Sequence, residues 1–94
     1  MSDLQTRRYL ISGRVQGVGF RWFVEREAAL IGVVGWVRNC ENGDVEVMAT
    51  GTREQHSSLR RKLQEGPRAA RVDRVNESAA PLLESQSFRI EGVW

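Results

Sequence analysis

The chain has 94 residues, 40% of them apolar, with 14 basic against 12 acidic side chains and a formal net charge of +2. That length suits one domain, residues 1–94, with a modest core, and the apolar share argues against a disordered chain. No run approaches the ~18 apolar residues of a membrane span, and the single cysteine, Cys40, excludes an internal disulfide and a cysteine-rich zinc site.

Residues 1–7, within "MSDLQTRRY", contain no apolar signal segment and read as a mobile N-terminal tail of a cytoplasmic protein. Cys40, alone, fits a reducing compartment. In "RRYLISGRV", Tyr9, Ile11, Gly13 and Val15 alternate with Arg8, Leu10, Ser12 and Arg14, the pattern of a strand with one buried face. The period then changes. Phe20, Val24, Ala28 and Ile31 share one helical face, Glu25, Arg26 and Glu27 lie mostly elsewhere, and Gly32 follows as a C-cap.

Two strand-like runs, "VVGWVRNC" and "DVEVMATG", flank "ENG", and Asn42-Gly43 is a hairpin signal because both residues tolerate positive φ. "TREQHSSLRRKLQEG" predicts a second helix, with Thr52 as N-cap and a thin stripe of His56, Leu59 and Leu63. Gly66-Pro67 ends it. A fourth strand passes through Val72 and Val75, whose spacing of three breaks strict alternation. "AAPLLESQ" reads as a loop, and a fifth strand places Phe88, Ile90, Gly92 and Trp94 in period two.

The order β-α-β-β-α-β with a short terminal strand predicts an α+β, ferredoxin-like antiparallel sheet with both helices on one face. In a split β-α-β unit the first two strands run parallel with the third between them. The loop after Val15 and the residues around Asn39 are therefore expected at one edge of the sheet.

That loop, "GRVQGVGFRW", leads directly into the first helix. A helix start carries unsatisfied N–H groups and a partial positive charge, and a glycine-rich turn can curl its amides into a nest for an anion. Gly17 and Gly19 supply the freedom, and Arg21 adds a planar fork matched to two phosphate oxygens. Known nucleotide templates do not fit. The third glycine of a dinucleotide fingerprint is missing, and no Gly-Lys-Ser/Thr follows. On composition alone the glycines suit a tight strand-to-helix turn equally well.

The longer string "ISGRVQGVGFR", Ile11 to Arg21, closely resembles the first signature of the acylphosphatase family. "GWVRNCENGDVE", Gly35 to Glu46, looks like its second, and "LQEGPRAARV" resembles the family's end to the second helix. The resemblance runs from Tyr9 to Phe88 and implies hydrolysis of carboxyl phosphates on a ferredoxin-like scaffold. It implies a phosphate cradle in the backbone of Gln16, Gly17, Val18, Gly19, Phe20 and Arg21. It further implies Arg21 as catalytic arginine and Asn39 as the residue that orients water.

The inventory of reactive groups agrees with such chemistry. Cys40 follows Asn39 and, in a strand, points to the opposite face, as a packing residue would. His56 reads as structural, and Asp44 and Glu46 read as solvated strand residues. No metal site or cofactor is expected. An acyl phosphate releases a carboxylate whose conjugate acid has a pKa near ~4, so it departs without protonation. Phosphoryl transfer then asks mainly for positioning and charge stabilisation.

The expected partners are a small acyl phosphate and a phosphate or sulfate anion, bound by a monomer, with no nucleic acid and no membrane. An RNA-binding module is the main rival, since "GFRWFV" superficially resembles an aromatic RNA signature. Arg21 occupies the position where that signature needs Gly or Ala. A phosphate sensor without turnover is a second rival. Trp36 reads as a strand packing residue, and Trp22 as lying beside the mouth of the site.

Overall fold

The structure, a computed structural model, describes residues 3–92. Its elements are β1 (Gln5–Arg14), α1 (Phe20–Ile31), β2 (Val34–Asn39), β3 (Val45–Gly51), α2 (Arg53–Glu65), β4 (Arg71–Ala80) and β5 (Phe88–Ile90). They form one five-stranded sheet in the order β4-β1-β3-β2-β5. β3 lies between β1 and β2 and is antiparallel to both, which makes β1-α1-β2 the expected split unit. β5 runs parallel to β2, so the sheet is mixed rather than wholly antiparallel. The strand Phe88–Ile90 stops before Gly92, and Trp94 lies outside the described residues.

Alternation decides which side chains face the helices. Tyr9 and Ile11 of β1, Val37 of β2, and Val45, Val47 and Ala49 of β3 are buried together with Phe20, Val24 and Ala28 of α1 and Leu59 and Leu63 of α2. Both helices thus cover one face. α1 also turns Glu27 inward, unlike the sequence expectation. Glu27 lies three residues after Val24 and seven after Phe20, which is the same helical face, and its carboxylate still reaches Arg26 at 3.4 Å. α2 starts with a capping box: Thr52 Oγ1 accepts from the Gln55 N–H at 3.1 Å, and Gln55 Oε1 accepts from the Thr52 N–H at 2.8 Å.

Five further details depart from the sequence reading. Residues 5–7, expected in a tail, already belong to β1, because Gln5, Thr6 and Arg7 pair with Gly51, Thr50 and Ala49. β4 runs on to Ala80, so the loop is shorter than expected, and it is pinned across the sheet. The Leu83 N–H donates to Thr6 Oγ1 and Thr50 Oγ1 donates to the Leu83 carbonyl, both at 2.9 Å.

The β2–β3 turn is longer than a two-residue hairpin. The Gly43 N–H bonds the Cys40 carbonyl at 3.2 Å and the Cys40 N–H bonds the Asp44 carbonyl at 2.8 Å. Only Gly43 takes positive φ there, while Asn42 Oδ1 accepts from the Asp44 N–H at 3.0 Å. Glu46, expected to be solvated, is 4% exposed. It sits on the helix-free face of the central strand, covered by Arg8 and by Arg38, whose Nε lies 2.6 Å from Oε1. Fifth, Cys40 is not in a strand, since β2 ends at Asn39 and Cys40 opens the turn.

His56 is structural, as expected. Its Nε2 lies 2.8 Å from the Gln5 carbonyl, which can only accept, and its Nδ1 lies 2.6 Å from the Tyr9 hydroxyl. In the neutral ring this puts the proton on Nε2 and makes Tyr9 the donor to Nδ1. Burial, followed by the charge of Glu77, pushes the Tyr9 phenol far above its ordinary pKa.

Candidate active site

The chain leaves β1 through Val15, which is buried, and reaches α1 through a loop that turns on Gly17 and Gly19. Both take left-handed conformations, at φ 73° and 80°. A side chain there would be conformationally strained, yet a Cβ on either would meet no atom within 4 Å. The glycines are therefore required by the path of the backbone and not by crowding. Gly19 is the N-cap of α1. No side chain caps this end, and no acidic residue occupies the first turn. The first-turn N–H groups and the positive end of the helix dipole thus face the loop.

Across the sheet edge, β2 ends at Asn39, which shares the helix-covered face with Val37. The split topology brings this strand end beside the loop. Val15, Gly17, Gly19, Phe20, Arg21, Trp22 and Asn39 line one pocket of about 190 Å³. Four of the six expected cradle residues, Gly17, Gly19, Phe20 and Arg21, are gathered there with Asn39. Gln16 and Val18 are not among the lining. Val18 packs against the core.

Gln16 turns its amide the other way, donating to the carbonyls of Cys40 at 2.7 Å and Asp44 at 2.9 Å. That strut ties the glycine loop to the turn following Asn39. Sequence reasoning missed it, because its partners are backbone atoms brought near only by the sheet. Arg21 has a similar tether: Nη1 donates to the Glu91 carbonyl at 3.4 Å, just beyond β5. Glu91 is itself fixed by its N–H to the Val37 carbonyl at 2.8 Å.

Cys40, beside Asn39, is half-buried; burial, then the negative charge of Glu46, pushes its thiol pKa up, away from thiolate character. Among the described residues no three His, Cys, Asp or Glu side chains converge as metal ligands would. A cleft of about 270 Å³ elsewhere on the molecule is bordered by Arg7, Arg60 and Glu77. There the Glu77 carboxylate already engages Arg7 at 3.3 Å and Arg60 at 3.4 Å. The glycine-loop pocket is the smaller of the two, but it combines a helix N-terminus, an arginine and an amide side chain.

The profile of the acylphosphatase family matches residues 7–90. The chain belongs to the acylphosphatase family. An acylphosphatase of Koribacter versatilis is 58% identical over 91 residues, spanning 96% of this chain and 83% of that relative. The solved structure of an acylphosphatase from Coxiella burnetii matches at TM-score 0.91 and 36% identity, covering 95% of this chain and 94% of that one. That of an acylphosphatase from Bacillus subtilis matches at TM-score 0.89 and 34% identity, covering 95% and 99%. Membership makes the protein a hydrolase of acyl phosphates, and the ferredoxin-like fold expected from the sequence is the acylphosphatase fold. No helix among the described residues is long and apolar enough to cross a membrane.

Proposed function

We propose that the protein cleaves acyl phosphates by in-line attack of a water held by Asn39 on a phosphoryl group cradled by the backbone amides of residues 16–21 and by Arg21. The observation that carries this reading is the convergence of Gly17, Gly19, Arg21 and Asn39 on one pocket at an uncapped helix start. A guanidinium and oriented amides are the groups that stabilise charge on transferring phosphoryl oxygens. The carboxylate product is a good leaving group and needs no acid, which agrees with a pocket lined, among the described residues, by Arg21 as its charged side chain and by Asn39. An amide side chain can both donate and accept, which is what orienting a water in line with the departing oxygen requires of Asn39.

The reading extends to the remaining features. The protein is a monomer formed by one domain over residues 1–94, and inorganic phosphate or sulfate occupies the same cradle as a competitive ligand. It needs no cofactor and binds neither nucleic acid nor membrane. The single cysteine suits the reducing conditions of the cytoplasm.

The roles of Arg21 and Asn39 separate kinetically. Replacing Asn39 with Ala is expected to lower kcat for benzoyl phosphate at least about a hundredfold while the inhibition constant of inorganic phosphate changes less than about threefold. A variant that keeps its turnover but no longer binds phosphate would assign Asn39 to anchoring and overturn the water-orienting role.

A further inference from the structure

If the loop holds the phosphoryl end of the substrate, the acyl end leaves through the mouth of the same pocket. What it meets depends on which lining residues present carbon to solvent. Val15 and Phe20 are each 1% exposed, with their side chains turned into the core. The glycines have no side chain, and Arg21 and Asn39 are polar. Trp22 remains, and it is 71% exposed.

Two further observations set this indole apart. Trp22 is the only exposed aromatic among the described residues, and its ring makes no ring or cation contact with them. Trp36, in contrast, carries Arg38 over its face at 5.4 Å. Trp22 is also the third residue of α1, and helical side chains lean toward the helix N-terminus. That lean agrees with the place of Trp22 in the lining of the pocket.

We propose that Trp22 is the platform for the acyl group, and that the enzyme favours acyl phosphates with aromatic or extended apolar acyl groups over short aliphatic ones. This rests on the loop being the phosphate cradle. A stacked or edge-on contact with an indole is worth about three- to tenfold in binding, and a methyl acyl group is too small to cover the ring.

The test compares kcat and KM for benzoyl and acetyl phosphate in the wild type, Trp22→Ala and Trp22→Phe. Taking the ratio of kcat/KM for the two substrates cancels their different intrinsic reactivity when variants are compared. Trp22→Ala is expected to lower the benzoyl-to-acetyl ratio about three- to tenfold, chiefly through KM for benzoyl phosphate, and Trp22→Phe to keep most of it. A ratio within twofold of wild type in Trp22→Ala, or equal losses on both substrates, overturns the proposal. A wild type that hydrolyses neither substrate instead sinks the cradle reading, and this inference with it.

Discussion

Glu46 lies at the centre of the helix-free face, opposite Leu10 on β1 and Arg38 on β2. Burial opposes its ionisation, but hydrogen bonds and charge from Arg8 and Arg38 outweigh that effect, so its carboxyl is held below the usual range. A depressed folded-state pKa stabilises the protein at pH values above the unfolded pKa, about 4.3. The contribution is lost as pH falls through the lower folded value. Glu46→Gln is therefore expected to lose about 1–2 kcal/mol at pH 7, discounted because both arginines are half-exposed. Thermal melts at pH 7 and pH 3 check this, and the difference from wild type should shrink toward zero at the acid end. A constant difference would mean the carboxylate's charge is irrelevant. Alternation in "DVEVMATG" shows which face Glu46 occupies, but its burial depends on the arginines that cross-strand register delivers.

At the scale of elements, the spacing of three between Val72 and Val75 has a physical cause. β1 and β4 shift register between Ser12 and Gly13: Ile11 faces Val75, Ser12 faces Arg74, and Gly13 faces Val72. Asp73 is thus an extra residue in β4, a β-bulge, and both valines stay on the core side despite their odd spacing. The bulge presses backbone against backbone. Gly13 sits at φ 130°, and a Cβ there would lie 2.1 Å from the Arg71 carbonyl oxygen and 2.8 Å from the Asp73 nitrogen. Gly13→Ala is expected to cost about 2–4 kcal/mol, from left-handed strain plus the displaced strand. Urea unfolding measures it, and a loss below about 0.5 kcal/mol would show that the bulge relaxes freely. The broken alternation and the glycine at the end of β1 both stand in the sequence, but their meeting does not, since a bulge belongs to a pair of strands. For the same reason the parallel pairing of β5 with β2 could not be read from "SFRIEGVW" alone.

Over the whole molecule, the helix periods, the Thr52 cap, the Gly32 stop and the order of elements were legible, because each depends on residues close in the chain. The meeting of the glycine loop with Asn39 was legible too, at one remove: it follows from a parallel β1-α1-β2 unit with β3 between its strands. What sequence could not supply is the bracing around that meeting point. Gln16 holds the carbonyls of Cys40 and Asp44, and Glu91, beyond β5, holds Arg21. These contacts join segments that only the finished sheet brings together. They also make the pocket a property of the complete fold, assembled from the end of β1, the start of α1, the end of β2 and the segment after β5.

The most direct measurement on this account is the steady-state hydrolysis of benzoyl phosphate by the wild type and by Arg21→Ala, each confirmed folded by its thermal melt. Turnover is expected for the wild type, with a fall in kcat/KM of at least about a thousandfold in the variant and inhibition by inorganic phosphate lost alongside. An Arg21→Ala protein that hydrolyses benzoyl phosphate within a few fold of wild type would contradict it.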